Sequence, residues 1–235
     1  MKIYAVIPSR SKSKRFKHKN IAKLNNIPLF MHSLNFAKKL KFIDKIIFTS
    51  DSGKYLDKVK NFKKLIKHKR SLKASKDNSM EEHIIRDLKN FFLINNIVLP
   101  DALLWLRPTH PLRSISTFIK AHKIFANSKK SVLIIHKEES RLFKINGRYL
   151  EPINKKLRNR SMIRGQDCKP LYSIFSGEFF NFPKKITKNF LGKKKMYVVS
   201  DKYTNYDIDN PIDLRILQNL INSNLKIYKK LLHDK

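Results

Sequence analysis

Two carboxylates near the end of this 235-residue chain have a spacing that suits a bound metal ion. Asp207 and Asp209 flank a single residue, so an extended backbone directs both side chains to the same face, where they can share a hard cation. The alternative is an acidic turn in which Asp209 or Asn210 caps the helix that follows.

A basic loop at residues 8–20 has the composition of a phosphate-binding segment. It places the hydroxyl groups of Ser9, Ser11 and Ser13 among Lys and Arg side chains. Hydroxyls, cations and backbone N–H groups together can hold a triphosphate, although a solvated basic loop has the same composition. Neither a Walker A nor a G-x-G-x-x-G sequence is present, which argues against kinases of those classes and against dinucleotide enzymes. Taken alone, the two carboxylates are better explained by the helix cap. In a chain with only 18 acidic residues, a position beside the proposed triphosphate loop favours a metal site instead.

The segments that would position these groups alternate between buried strands and amphipathic helices. Strands are predicted at 2–7, 43–49, 102–106, 131–135 and 196–199. Helices are predicted at 29–40, from the Ser79 to Glu82 capping box to 95, from a cap at Ser114 or Ser116, and from 210. This order predicts an α/β fold with a mostly parallel sheet, in which ligands bind beyond the carboxyl ends of the strands. The loops selected by that rule are 8–20, 50–53, 107–114 and, less directly, the chain from 136 onward.

The composition indicates one core and a strongly basic surface. Hydrophobic residues make up 41% of the chain, and 52 Lys and Arg against 18 Asp and Glu give a net charge of +34. Such a charge is typical of nucleic-acid binding, but the lysines are spread in short groups along the chain, so nucleic acid is an unlikely partner. The single cysteine, Cys168, fits a reducing cytoplasm, and we expect neither a signal peptide nor a membrane span.

Residues 137–182 break the alternation of strands and helices. They are rich in Arg, Lys, Tyr and Phe without a helical period, so we interpret them as an inserted arm of a single domain, 1–235.

Five segments resemble one enzyme family. The acylneuraminate (CMP-sialic acid) cytidylyltransferases have a first loop Ala/Ser-Arg-x-x-Ser-Lys-x-x-x-x-Lys-Asn, which this chain matches in register from Arg10 to Asn20. The other segments follow in the family's order: Thr49-Ser50-Asp51, Arg70 with Asp77, Leu106–Arg113, and Asp207-Ile208-Asp209. The resemblance covers nearly the whole chain and includes the pseudaminate and legionaminate cytidylyltransferases. It implies a Rossmann-like three-layer nucleotidyltransferase fold, helices on both faces of the sheet, and a dimerisation arm that makes a homodimer.

The resemblance also implies a set of site residues. Catalytic roles fall on Arg10, Lys14, Asp207 and Asp209, of which the two aspartates hold Mg²⁺. Nucleotide contacts fall on Arg10, Ser13, Lys14, Lys19, Asn20, Arg70 and Ser79. Sugar contacts fall on Arg107, Thr109, Arg113, Gln166, Tyr172, Phe179 and Phe180. Arg107 replaces a family Gln and could pair with a sugar carboxylate, whereas His110 is expected to lie behind the site or on the surface.

The implied activity is transfer of CMP from CTP to a nine-carbon acidic sugar. Two alternatives are a CMP-Kdo synthetase, which differs in the sugar, and a non-catalytic polyanion-binding protein that uses the charge of +34.

Overall fold

A computed structural model describes residues 1–13, 15–76, 78–154, 157, 159, 162–223 and 226–232. Within them, seven strands form one sheet. In order across the sheet they are β11 (Met196–Val199), β7 (Val132–Glu138), β10 (Leu171–Asn181), β6 (Ala102–Trp105), β1 (Ile3–Pro8), β4 (Lys45–Ser50) and β5 (Leu65–Lys69). Two small hairpins stand apart from it: β2 (Lys23–Leu24) with β3 (Ile27–Pro28), and β8 (Phe143–Asn146) with β9 (Tyr149–Pro152).

The sheet is mostly parallel, as the alternation of elements predicts. The pairs β11·β7, β6·β1, β1·β4 and β4·β5 are parallel, and only β10 runs antiparallel to its neighbours β7 and β6. Parallel strands direct their carboxyl ends to one edge of the sheet, so the loops after β1, β4, β5 and β6 meet there.

Four of the described helices cover the two faces of the sheet and form the outer two of three layers. Two helices near the C-terminus pack in a separate cluster with Leu24, Leu29 and Leu112. The bounds of these helices are α1 (Leu29–Lys39), α2 (Gly53–Asp57), α3 (Glu81–Ile94), α4 (Ile115–Ser128), α5 (Pro211–Asn222) and α6 (Lys226–Leu232). Side chains of α1, α2 and α4 pack on the face of β1 that carries Ala5 and Ile7. Those of α3 pack on the opposite face, which carries Tyr4 and Val6. β1 is therefore buried on both sides, as its continuous apolar run predicts. No described helix is long and apolar enough to cross a membrane.

The start of α5 is the clearest agreement between local sequence and structure. Pro211 occupies the first turn, and the Asn210 side chain accepts hydrogen bonds from the backbone N–H groups of Ile212 and Asp213. The Asp213 carboxylate in turn accepts from the N–H groups of Asp209 and Asn210. Asn210 and Asp213 thus cap the helix, so the carboxylate of Asp209 is not used as the cap.

The predicted capping box of α3 is wrong by one residue. The helix begins at Glu81 with Met80 in the cap position, and the Met80 N–H donates to Nδ1 of His83 at 3.1 Å. The Ser79 hydroxyl donates instead to the carbonyl of Lys73 at 2.6 Å, closing the loop before the helix.

The arm is shorter than predicted, because both of its ends belong to the sheet. Residues 137 and 138 continue β7, and 171–181 form β10, which inserts between β7 and β6. Within 137–182, residues 139–170 and 182 lie outside the sheet, and the former include the β8–β9 hairpin. The stretch 137–182 as a whole is therefore not an arm.

The strand β5 was not predicted from its basic sequence. Its residues Leu65–Lys69 pair with β4 at the edge of the sheet, where Lys side chains can reach solvent while His68 is buried.

Candidate active site

A cleft of about 780 Å³, here called the central cleft, lies at the carboxyl ends of the parallel strands. It collects side chains from four distant parts of the sequence: the loop after β1, the segment after β5, the loop after β6, and the turn before α5. Predicted nucleotide ligands among its lining residues are Arg10, Ser13, Lys19, Asn20, Arg70 and Ser79. Predicted catalytic and sugar ligands among them are Arg107, Thr109, Asp207 and Asp209. Lys14 lies outside the described residues.

The loop after β1 is fixed by hydrogen bonds rather than by glycine. The amide of Asn20 donates to the carbonyl of Arg10 at 2.8 Å, which joins the two ends of the loop. Ser11 donates through its backbone N–H and its hydroxyl to the carboxylate of Asp51, at 2.7 and 2.8 Å. Asp51 follows β4, so the turn after the second parallel strand orients the loop after the first. Asn20 is buried, and its direct contact is with the loop backbone.

Arg70 is a buried cation at the end of β5. Its guanidinium donates to the hydroxyl and the carbonyl of Thr49, at 3.2 and 3.3 Å. Burial lowers the pKa of Arg70 to about 10, a shift that Asp51 opposes. A guanidinium that is almost fully desolvated yet lines the cleft would interact more strongly with an anion than an exposed lysine does.

The carboxylates of Asp207 and Asp209 line the cleft from one side, as their spacing predicts. Ile208, between them, is fully buried in the opposite direction against α5. Its N–H donates to the carbonyl of Thr109 at 2.9 Å, so the segment is tied to the loop after β6.

The two carboxylates have different electrostatic surroundings. Asp209 is paired with Lys19 at 2.9 Å and with Arg15 at 2.8 Å, and the hydrogen bond from Lys19 lowers the pKa of Asp209. Burial raises the pKa of Asp207, although the hydroxyl of Thr109 opposes the shift. The Oδ1 atom of Asp207 is buried without a hydrogen-bond partner among the described residues.

This donor set fits a divalent cation held in part by other oxygen ligands. Among the described residues, no group of three or more His, Cys, Asp or Glu side chains is arranged to hold a metal. Two carboxylates, one with an unpartnered oxygen, are the usual protein contribution to a Mg²⁺ ion that also binds substrate phosphates and water.

His110 lies behind Asp207 and not on the surface. It is buried, and its Nδ1 atom is 3.1 Å from the Thr109 hydroxyl and 3.6 Å from Oδ1 of Asp207. Burial holds the pKa of His110 well below its ordinary value, so the ring is neutral at pH 7.

Arg107 is engaged inside the protein. Its guanidinium donates to the carboxylate of Glu178 and lies 3.5 Å from that of Glu81. Burial would lower the pKa of Arg107, but the two carboxylates together raise it. A sugar carboxylate, the predicted partner of Arg107, would therefore have to compete with Glu81 and Glu178 for the guanidinium.

Two predicted sugar ligands are structural. Arg113 is 0% exposed and donates to the carbonyls of Ser176 and Arg107 and to the hydroxyl of Ser33, so it fastens the loop after β6 and cannot reach the cleft. Phe179 is 0% exposed and packs against the aromatic rings of α4. Both predictions of sugar contact are wrong for this structure. The 11-residue strand β10 carries Phe179 into the core, together with Ser176, whose carbonyl binds Arg113.

The remaining sugar ligands do not line the central cleft. Gln166 is exposed in a short 3-10 helix at Gly165–Asp167, and Tyr172 is exposed on β10 two residues before Ile174, which does line the cleft. Phe180 is buried in a neighbouring cavity against Phe190, with the ring centroids 5.0 Å apart.

Several residues of the site were not predicted from sequence. They are Arg15, Glu81, Trp105 and Glu178. Arg15 had a usable signal, since it lies within the basic loop. The sequence around Glu81 and Glu178 gave no such signal, because the two residues come together at Arg107 only when α3 and β10 pack beside β6.

Comparisons with known proteins identify relatives of this chain and solved structures with the same fold. CMP-N,N'-diacetyllegionaminic acid synthase of Legionella pneumophila is 26% identical over 232 residues, covering 95% of this chain and 98% of that protein. N-acylneuraminate cytidylyltransferase of Escherichia coli is 25% identical over 233 residues, covering 92% of this chain and 51% of that protein. A solved CMP:2-keto-3-deoxy-manno-octonic acid synthetase complexed with CTP has the same fold, with a TM-score of 0.65 at 14% identity over 96% of this chain and 100% of that one. A family model described as cytidylyltransferase matches residues 4–230, and the chain therefore belongs to the cytidylyltransferase family.

Proposed function

We propose that this chain transfers CMP from CTP to the anomeric hydroxyl of a nine-carbon acidic sugar and releases pyrophosphate. The observation that carries the proposal is the central cleft itself, where the cations Arg10, Lys19 and Arg70 face the carboxylates Asp207 and Asp209. The names of the relatives from Legionella and Escherichia support a sialic-type sugar as the acceptor.

The reaction joins the sugar oxygen to the α-phosphorus as the bond from that phosphorus to the bridging oxygen breaks. The bridging oxygen leaves with pyrophosphate, and the hydroxyl proton passes to solvent. Arg10, Lys19 and the predicted ligand Lys14 neutralise the charge that develops on the phosphates, and most of the acceleration comes from this preorganised charge and from positioning. Ser13 donates a hydroxyl hydrogen bond to the nucleotide. The Ser79 hydroxyl donates to the carbonyl of Lys73, so the predicted contact of Ser79 with the nucleotide would have to replace that bond.

Asp207 and Asp209 would hold Mg²⁺, which when bound supplies positive charge at the phosphates and lowers the pKa of a coordinated hydroxyl. The orphaned Oδ1 atom of Asp207 supports this role. The carbonyl of Thr109 accepts the hydrogen bond that anchors the Asp207 segment, and its hydroxyl contacts the side chains of Asp207 and His110.

A homodimer is part of the proposal. The β8–β9 hairpin carries Ile145, Tyr149 and Leu150 at 67–80% exposure, an apolar surface suited to a second copy of the chain. Gln166 and Tyr172, which are exposed and follow the hairpin in the sequence, would reach a partner's sugar site. A cytoplasmic location, expected from the single cysteine, also belongs to the proposal.

A panel assay tests the activity. Purified protein, CTP and Mg²⁺ are incubated with sialic, pseudaminic and legionaminic acids and with Kdo, and pyrophosphate release is measured. Release with a nine-carbon acid supports the proposal, release with Kdo alone favours the CMP-Kdo alternative, and release with none contradicts both. Asp209→Asn is expected to remove turnover, whereas Asp57→Asn, on the exposed end of α2, is the matched control that should retain it.

The polyanion-binding alternative is disfavoured by the same cleft. A surface that only attracts phosphates has no use for two carboxylates among its cations. Duplex DNA titrated at physiological salt is expected to bind weakly, and tight binding with a steep salt dependence would favour that alternative.

A further inference from the structure

A second cavity of about 360 Å³, here called the side cavity, opens beside the central cleft. The two share Met80, Glu81, Trp105 and Arg107, so a ligand in one can extend into the other. The apolar part of the side cavity is formed by Trp105, Phe180, Phe190 and Leu191. Apolar walls with a few placed polar groups are typical of small-molecule sites.

The charge of the side cavity is opposite to that of the protein. Three carboxylates line it, from Glu81, Glu82 and Glu178, against the two cations Arg107 and Lys188. The whole chain has 18 acidic and 52 basic residues, so this cavity concentrates acids that are scarce elsewhere.

The start of α3 accounts for only part of this charge. Glu81 and Glu82 lie in the first turn of the helix, where carboxylates are stabilised by the helix dipole. Glu178 lies on β10, so no such effect applies to it.

Glu178 is a buried carboxylate with one oxygen left over. It is 4% exposed, one oxygen accepts from Arg107, and the other, Oε2, has no hydrogen-bond partner among the described residues. An unsatisfied buried polar atom is costly, and it commonly marks a place where a ligand completes the bonding. Arg107 faces Glu81 and Glu178 together, so these three side chains contain two acidic groups and one basic group. Burial raises the pKa of Glu178, a shift that Arg107 opposes, and a cationic ligand would oppose it further.

We propose that the side cavity recognises a basic nitrogen substituent, an amine or an amidine, on the acidic sugar. The N–H groups of that substituent donate to Glu81 and Glu178, and its carbon atoms pack against Trp105 and Phe180. The inference rests on the proposed function for the identity of the sugar, but its binding chemistry is set by the cavity alone. A neutral acetamido group offers one N–H and no charge, and a charge-assisted hydrogen bond is about twice as strong as a neutral one.

Matched substrates test the specificity. Nine-carbon acids that differ only by acetamidino in place of acetamido, at either the ring or the side-chain nitrogen, are compared by pyrophosphate release with CTP. The wild type is expected to prefer an amidine by about tenfold in kcat/KM, mainly through KM. Glu81→Gln should remove most of that preference while the fold stays intact, because its side chain is partly exposed. Glu139→Gln, on the exposed arm, is the control that should keep it.

A second variant addresses the buried pair. Glu178→Gln alone would leave Arg107 unpaired, so Arg107→Gln is added to remove both charges together. Loss of the amidine preference in this double variant supports the inference, and an unchanged preference in both Glu81→Gln and the double variant overturns it.

A binding measurement separates this inference from the proposed function. Trp105 is the only tryptophan of the chain and lines the side cavity, so its fluorescence reports occupancy without CTP. Acetamidinium and the amidine sugar are expected to change the signal at lower concentration than acetamide and the amide sugar. If pyrophosphate is released but amide and amidine titrate equally, the inference fails and the function stands. If no sugar releases pyrophosphate but the cations are preferred, the function fails and the cavity assignment stands.

Discussion

Lys19 Nζ lies 2.9 Å from Oδ1 of Asp209, which joins a predicted phosphate ligand to a predicted metal ligand. Arg15 occupies the second oxygen of the same carboxylate at 2.8 Å, but its side chain is 75% exposed whereas that of Lys19 is 12% exposed. A triphosphate in the cleft would compete for both cations, and Asp209 would then be released to a metal ion. Nucleotide and metal are therefore expected to bind with positive coupling.

Lys19→Met should separate these two effects. Removing the less exposed of its two cations leaves Asp209 paired with Arg15 alone. Mn²⁺ binding without CTP is therefore expected to strengthen by about threefold to tenfold, while CTP binding weakens. Mn²⁺ affinity can be measured by electron paramagnetic resonance and CTP affinity by calorimetry. Lys12→Met, on an exposed residue of the same loop, is the control. An unchanged Mn²⁺ affinity in Lys19→Met would contradict the coupling.

Asp207→Asn should stabilise the fold and remove turnover. The Asp207 carboxylate is partly buried, its Oδ1 atom lacks a hydrogen-bond partner among the described residues, and burial raises its pKa. The isosteric amide removes that buried charge, so a gain of about 1 kcal/mol, or roughly 2–4 °C in Tm, is expected for a protein of this size. Thermal unfolding without metal measures it. A fall in Tm would mean that the carboxylate stabilises the empty protein.

His68 should make the fold sensitive to mild acid. Burial lowers the pKa of His68 to about 4, although Asp87 opposes the shift. The unfolded chain takes up a proton near pH 6.5, so the folded state loses stability as pH falls from about 6.5 towards 4. The loss amounts to about 2 kcal/mol at pH 5.

Urea unfolding of the wild type and of His68→Gln between pH 7 and pH 5 tests this. The variant should show a smaller loss over that range, whatever its stability at pH 7. His18→Gln removes an exposed histidine and should follow the wild type. Parallel curves for wild type and His68→Gln would exclude His68 as the cause.

Gly177→Ala should destabilise the sheet at the irregularity of β10. The register between β10 and β7 shifts between Ile174 and Gly177, and a Cβ atom at Gly177 would lie 2.8 and 2.9 Å from ring atoms of Phe118. Phe118 is packed among the aromatic rings of the core and has little room to move, so a cost of about 1–3 kcal/mol is expected. Chemical denaturation measures it. Gly165→Ala, where a Cβ meets open space, should be nearly neutral.

Local sequence predicts most of the parallel sheet but not its antiparallel strand. The apolar run of β1 and the Asn210-Pro211 start of α5 are decided by neighbouring residues, and both are confirmed. β10 contains consecutive Phe179 and Phe180, which are buried on opposite faces of the sheet. The sequence of β10 alone does not distinguish an inserted arm from a strand that lies between β7 and β6.

The central cleft likewise has one part that the sequence predicts and another that depends on the antiparallel strand. Its cations and carboxylates follow parallel strands, so their convergence is predictable from topology. The pair of Arg107 and Glu178 is not, because it depends on the antiparallel register that places Glu178 opposite Trp105. The sequence therefore predicts the residues that line the central cleft more fully than those that line the side cavity.

Lysines that are not predicted to bind a ligand lie at or next to the two edge strands of the sheet. β5 carries Lys67 and Lys69, and Lys193–Lys195 immediately precede β11 at the opposite edge. An uncovered strand edge is a template for pairing with another molecule, and like charges along it oppose that pairing. We therefore expect the lysines at these positions to oppose sheet-to-sheet aggregation.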